Sequence, residues 1–294
     1  MKYLIVNADD FGLTSGVNRA VIEGHCHGVI TSATVMVNMP GFDEAARLAR
    51  EHPSLGVGLH FNITQGRPLA PAAQVRSLIN TRGEFLKPRA IAWRSLAGEL
   101  RTEEIIVELR AQIEKALASG LRLTHVDSHK HAHALPQVFE AIVCTIPDYG
   151  IGAVRLPRER LHWNISSFSL KTIKQTFVSL GLAQLGRADS IILRDARLHK
   201  ADAFFGIAHT GCWTKRWLMG LIERLPDGVS ELMCHPGYED GTFAEAQTRL
   251  RASRTIELSL LTDPEVAAWL REQAVTLMSY AEINHRSQTI QPAP

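Results

Sequence analysis

Side chains able to bind a metal or move a proton collect at the ends of four short apolar runs. The first run closes on Asn7-Ala8-Asp9-Asp10-Phe11-Gly12, two adjacent carboxylates directly after an apolar stretch. Neighbours on a regular strand face opposite ways. Asp9 and Asp10 therefore meet in one site only where the strand breaks, and Gly12 offers a turn conformation for that break. Taken alone, the pair reads first as caps for a following helix. In residues 55–61, period two sets Gly56, Gly58, His60 and Asn62 on one face, with Leu55, Val57, Leu59 and Phe61 on the other. His60 then stands above the space that two glycines leave, as a metal ligand, an acid–base group or a packed core histidine. The third run, Thr124-His125-Val126-Asp127-Ser128-His129-Lys130-His131-Ala132-His133, puts His125, Asp127, His129, His131 and His133 on one period-two face. So many polar groups are costly to bury without a purpose. Pro136 marks the end of the extended segment, so one or two metal ligands are expected from it. The fourth run, from Glu231 to Tyr238, ends on His235 before a Pro-Gly turn, the position of an acid–base residue.

One or two aspartates and two histidines from separate strand ends suit a divalent metal with nitrogen and oxygen ligands and open positions. That set favours zinc, with manganese, cobalt, nickel and magnesium compatible. Such an ion polarises a carbonyl or acidifies a water. A free carboxylate beside it takes the water's proton, and a histidine opposite protonates a leaving amine.

The elements that must hold these groups alternate. Strand-like runs are expected at residues 3–8, 32–37, 55–61, 123–127, 153–156 and 231–234, with further strands near 202–209 and 275–280. Amphipathic helical patterns fill 15–27, 41–51, 103–118 and 137–146, with Thr14 or Ser15 and Thr102 as caps. A count near eight and polar residues at the C-terminal strand ends predict an α/β fold, a single-domain distorted (β/α) TIM-like barrel with its active site at that end. The domain is expected to span residues 1–283. It carries insertions near 64–102, a candidate lid, and 158–187, with a helix at 167–180; residues 284–294 form a frayed tail.

The 294 residues, 45% hydrophobic and 21% charged, supply one large core. With 32 basic and 30 acidic residues spread along the chain, there is no basic stripe for nucleic acid. The N-terminal run turns acidic before a signal sequence could form, and no run is long enough to span a bilayer. A cytoplasmic protein is the expectation. Cys26, Cys144, Cys212 and Cys234 form no C-x-x-C pair and read as reduced core residues. A homodimer is the expectation from the prevalence of symmetric dimers alone.

The chain resembles the YdjC-type carbohydrate deacetylases, a group that includes chitooligosaccharide deacetylases and hopanoid-biosynthesis-associated deacetylases. The resemblance runs close to full length. It rests on Asn7-Ala8-Asp9-Asp10-Phe11-Gly12, Gly58-Leu59-His60, Asp127-Ser128-His129-Lys130-His131 and His235-Pro236-Gly237, with Thr31-Ser32-Ala33-Thr34 like the family's second strand. It implies metal-dependent hydrolysis of the N-acetyl group of an amino sugar, in an oligosaccharide or glycolipid, with release of acetate. It also implies Asp10, His60 and His129 as metal ligands, Asp9 as general base and His235 as general acid. Arg155 would orient Asp9 or touch substrate, and Asp127 and His131 would support the site or contact substrate. Trp93, Trp163, Trp213 and Trp217 are sugar-stacking candidates or simple packing. Against this stand a metal-dependent phosphoesterase and a non-catalytic sugar-binding protein on the same scaffold. A glycoside hydrolase fits less well, because adjacent Asp9 and Asp10 do not give its two separated acids.

Overall fold

The structure, a computed structural model, describes residues 1–159, 193, 196–243, 246 and 248–286. Trp163, the helix expected at 167–180 and the tail after residue 286 lie outside the described residues. Eight strands form one parallel sheet: β1 (Lys2–Phe11), β2 (Ser32–Val35), β3 (Gly56–Phe61), β4 (His125–Ser128), β5 (Ala153–Val154), β6 (Ala203–Phe205), β7 (Gly228–Cys234) and β8 (Val275–Leu277). Their order is β5-β4-β3-β2-β1-β7-β6. Two isolated parallel bridges, Ala153 to His199 and Glu159 to Phe204, join the ends of this path and curl it into a barrel. The distortion lies at β1. Its whole length to Ala8 pairs with β7, while its other edge is shared by β8 at Lys2–Leu4 and β2 from Asn7 onward. The circuit therefore has seven strands, with β8 tucked beneath β2.

The α-helices among the described residues are α1 (Ser15–Cys26), α2 (Phe42–Glu51), α3 (Pro88–Leu96), α4 (Thr102–Ala118), α5 (Pro136–Thr145), α6 (Lys215–Glu223), α7 (Ala252–Leu261), α8 (Pro264–Glu272) and α9 (Tyr280–Arg286). Strand alternation sorts the two faces. Leu4, Val6 and Ala8 of β1 and Val57, Leu59 and Phe61 of β3 join the main apolar core with helix residues such as Val17, Ala45, Ile105 and Leu109. Burying each Val or Leu fully stabilises the fold by roughly 1.5–3 kcal/mol. The opposite face lines the barrel. There Ile5, Ala153, Met278, Tyr280 and Ile283 make a small separate plug, and above it the lining turns polar. Thr14 caps α1 by accepting from the Val17 amide at 3.3 Å. Thr102 does not cap α4: Arg101 holds the cap position without a side-chain bond, and Glu103 and Glu104 in the first turn favour the helix dipole instead.

Two sequence expectations change. The 64–102 segment is no loose lid. It contains α3, buries Val75, Leu78, Phe85 and Ile91 in the main core, and is fastened to α4 where Glu108 accepts from the Leu69 and Ala70 amides and Glu104 from that of Ser77. A fully polar loop has no apolar surface with which to dock; this one does. Of the four cysteines, all free, only Cys234 is buried, whereas Cys26 and Cys144 are exposed.

Candidate metal and acid–base site

Asp9 and Asp10 share a site because β1 breaks its alternation at Asp10 itself. Asp10 has φ +67°, and the pairing with β2 slips between Ala8 and Phe11. One residue in a left-handed conformation makes a bulge that re-aims its side chain, so the carboxylate that alternation would send outward turns to the barrel mouth. Gly12, at φ +91°, continues the turn, and a Cβ there would lie 3.0 Å from the Met36 carbonyl. Neither aspartate caps a helix. The strain of a non-glycine residue at positive φ, about 1–3 kcal/mol, is held by the surrounding structure, as it often is at functional sites.

Asp10, His60 and His129 come together. Asp10 Oδ1 lies 3.5 Å from His60 Nε2 and 3.0 Å from His129 Nδ1, and the two ring nitrogens are 3.3 Å apart. On its other side His60 Nδ1 meets Asp127 Oδ1 at 2.6 Å, and the Thr34 hydroxyl donates to Asp127 Oδ2 at 3.1 Å. A carboxylate behind a histidine orients the ring and sets which nitrogen faces a metal. Burial works against charge on His60, but Asp127, Asp10 and Asp9 carry it up to about 10. Burial, together with the charge of Lys130, lowers His129 to about 4 despite Asp10. Burial pushes Asp10 up, yet Arg254 and the two imidazoles hold it well below its usual range. Three donor atoms thus converge where a positive charge is favoured, whether a proton on His60 or a divalent cation. One carboxylate oxygen and two imidazole nitrogens, with more positions open, fit such an ion.

Asp9 faces a different set. Arg155 grips it with two bonds, Nη1 to Oδ2 at 2.9 Å and Nη2 to Oδ1 at 2.7 Å. The same guanidinium reaches Asp127 Oδ2 at 2.6 Å and Glu231 Oε1 at 2.8 Å, all of these groups being buried. Tyr280 donates to Glu231 Oε2 at 2.5 Å, and Asn7 to Glu231 Oε1 at 3.3 Å. Burial lifts Asp9 to about 6 against the pull of Arg155, with Asp127 adding to the rise. His235 Nε2 is 3.9 Å from Asp9 Oδ2, and its side chain is 12% exposed where those of Asp9, Asp10, His60 and His129 are 4% or less. It is the member of the set nearest solvent. Burial holds it well below its ordinary value, as a neutral imidazole.

The other histidines of the third run part company. The strand ends at Ser128, and Lys130 and His131 take positive φ of 57° and 54°, so a single period-two face does not extend past His129. His125 stacks on Tyr280 with centroids 3.8 Å apart inside the barrel. His133 Nδ1 meets the Ser128 hydroxyl at 2.5 Å, and His131 stands edge-on to Phe204 and His133. The space at Gly58 serves His125 rather than His60, since a Cβ there would fall 2.5 Å from the His125 ring. Among the tryptophans, Trp213 is buried beside Trp217, and Trp93 is 63% exposed.

Sequence reasoning missed Thr34, Glu231, Arg254, Glu257 and Tyr280 as parts of the site. Glu231 did carry a signal, a charge inside an apolar strand. Arg254 and Glu257 carried none, because nothing local marks which charges of a helix turn inward. Arg254 Nη2 pairs with Asp10 Oδ2, and Glu257 Oε2 accepts from the His235 amide at 2.6 Å.

Residues 3–272 match the family model described as YdjC-like protein. The chain belongs to the YdjC-like family. It is 39% identical to a carbohydrate deacetylase of Geobacillus stearothermophilus over 96% of this chain and 98% of that relative. It is 35% identical to a chitooligosaccharide deacetylase of Serratia marcescens, over 96% and 99%. Among solved structures, a proposed cellobiose-phosphate cleavage protein of Enterococcus faecalis V583 superposes with a TM-score of 0.75 at 28% identity, covering 96% and 98% of the two chains. This YdjC-like chain thus matches these relatives over nearly their whole length and shares its fold with the Enterococcus protein. No helix among its described residues is long and apolar enough to cross a membrane.

Proposed function

We propose that this protein hydrolyses the N-acetyl group of an amino sugar, in an oligosaccharide or glycolipid, with the help of one divalent metal, zinc being favoured by the donor set. The observation that carries the reading is the convergence of Asp10 Oδ1, His60 Nε2 and His129 Nδ1 within 3.5 Å of one another, with the Asp9 carboxylate one residue away. The names of the Geobacillus and Serratia relatives support the substrate class. Asp10, His60 and His129 would hold the ion, and Asp127 would orient His60. A bound divalent ion supplies polarisation of the acetyl carbonyl and acidification of a water.

Asp9 accepts the proton of the attacking water. Its value near 6 keeps it ionised at neutral pH yet basic enough to receive a proton, and Arg155, bonded to both its oxygens, fixes the plane of the carboxylate. As the carbon–oxygen bond forms and the carbon–nitrogen bond breaks, the amine leaves with a proton from His235. That imidazole, neutral at rest and 3.9 Å from Asp9, takes the proton Asp9 has gained through one bridging water and passes it on. The products are acetate and a free amino sugar. His131, edge-on to the Phe204 ring over which Arg155 lies, would support this set.

The test is acetate release from N-acetylglucosamine oligomers by the metal-stripped protein reloaded with zinc, nickel, cobalt, manganese or magnesium, with Asp9→Asn alongside. Restored release that vanishes in the variant is expected. Phosphate release from a sugar phosphate in place of acetate would instead select the phosphoesterase reading.

A further inference from the structure

Helix α7 brings a buried charge to the metal side of the site. Arg254 is 1% exposed, and its guanidinium has three observable relations: Nη2 pairs with Asp10 Oδ2, Nε donates to the Leu250 carbonyl at 3.1 Å, and the group lies over the Phe243 ring at 5.6 Å. Asp10 Oδ2 is the oxygen that faces away from His60 and His129, whose contacts are both to Oδ1. One oxygen is therefore held by Arg254 while the other is presented to the two imidazoles. This matters more for Asp10 than for an ordinary carboxylate, because its backbone sits at φ +67° and no regular strand geometry fixes its direction.

The path of Arg254 explains a glycine. A Cβ on Gly237 would lie 2.8 Å from Arg254 Cδ and 3.2 Å from Arg254 Cβ, distances at which the arginine stem must move. The stem cannot swing aside freely, since its far end is tied to Asp10 and to the Leu250 carbonyl. The glycine of the His235-Pro236-Gly237 turn thus leaves the corridor through which Arg254 reaches Asp10.

We infer that Arg254 is a positioning residue that holds Asp10 in the metal-binding orientation, and that Gly237 is glycine in order to let it through. The inference rests on Asp10 being a metal ligand. Electrostatics alone argues the other way: a cation beside a ligand carboxylate repels a metal, and its removal should tighten binding. Geometry predicts loss, because an unanchored buried carboxylate must be ordered by the metal itself. Sign therefore separates the two.

The experiment measures zinc affinity of the metal-stripped full chain by competition with a chromophoric chelator, with thermal unfolding followed in parallel. Removing an outer partner of a metal ligand costs about 10–100-fold in affinity, and Arg254→Gln is expected to raise the zinc Kd by that factor. Gly237→Ala, which alters no ligand, should weaken zinc in the same direction. Leu258→Ala is the control: it removes a buried apolar side chain one turn along the same helix, so zinc affinity is expected to stay at the parental value. Should Arg254→Gln not fold, Arg254→Lys keeps the cation without the planar fork and is expected to fall between parent and loss. Parental or tighter zinc binding in the Arg254 variants would overturn the inference. Parental binding in Gly237→Ala would remove the corridor. Equal weakening in Leu258→Ala would show that α7 packing, not the grip on Asp10, sets affinity. Zinc is read without substrate, so a protein that releases no acetate yet follows this pattern would sink the proposed reaction and leave Arg254 in place.

Discussion

Asp9 and Asp10 are neighbours in the chain and opposites in their surroundings. Each is buried and each has an arginine partner, Arg155 for Asp9 and Arg254 for Asp10. Asp9, however, lies among further carboxylates, Asp127 and Glu231, all sharing the one guanidinium, and burial lifts it to about 6. Asp10 has an arginine of its own, faces two imidazoles and stays well below the carboxylate range. Environments that push two adjacent groups apart assign them different work. A carboxylate that is always ionised suits a cation, and one that gains and loses a proton near neutrality suits proton transfer. The lesson is that the division comes from charge counting in the barrel interior, not from residue type.

Four changes would break or sharpen this contrast. The largest effect is expected at the carboxylates themselves. Asp9→Asn should lower turnover by about 10²–10⁴-fold, the usual contribution of a general base, while the protein still binds zinc. Asp10→Asn, His60→Ala and His129→Ala should lose the metal. Equal metal loss in all four, measured by elemental analysis after gel filtration, would erase the distinction between Asp9 and Asp10.

Next comes Arg155, the cation shared by Asp9, Asp127 and Glu231. Leaving buried charges uncompensated costs about 3–5 kcal/mol, so Arg155→Ala should lower the urea midpoint and remove activity together. A variant of parental stability would show that the three carboxylates do not depend on it.

Acidity provides a finer test. Asp9 acts as a base only when deprotonated, and its value is raised to about 6, so kcat/KM should fall as pH drops through that region. A cation bound beside Asp9 favours the charged form and moves this midpoint to lower pH. A flat profile from neutral pH down through the same region would contradict the role of Asp9.

The smallest expected effect concerns the packing under the charges. A methyl group at Gly58 would meet the His125 ring at 2.5 Å, and overpacking of this kind costs roughly 1–3 kcal/mol. Gly58→Ala should lower the melting temperature and disturb the His125 stack on Tyr280 while leaving zinc affinity near parental. Loss of zinc instead would restore the view that this glycine serves His60.

Much of this protein was legible in its residues. Period-two alternation identifies the strands and their inner face, since backbone pleating follows from local sterics. The histidines and aspartates at the strand ends announce the chemistry, because polar groups beside apolar runs need a reason to be there. Helix α1 and its Thr14 cap follow from short-range hydrogen bonding in the same way.

Tertiary structure alone decided the rest. The turn that brings Asp10 beside Asp9 depends on a left-handed residue that is not the glycine, and only the slipped pairing with β2 shows it. The break at Lys130 and His131 ends the histidine face at His129, and position along β4 leaves His125 inside the barrel, stacked on Tyr280. Glu231, Arg254 and Glu257 reach the site from elements far apart in sequence. Residue type and spacing carry local preferences, but the partner of a buried charge is set by which strands and helices meet. For Asp9 and Asp10 those partners, and not the aspartates themselves, make the difference.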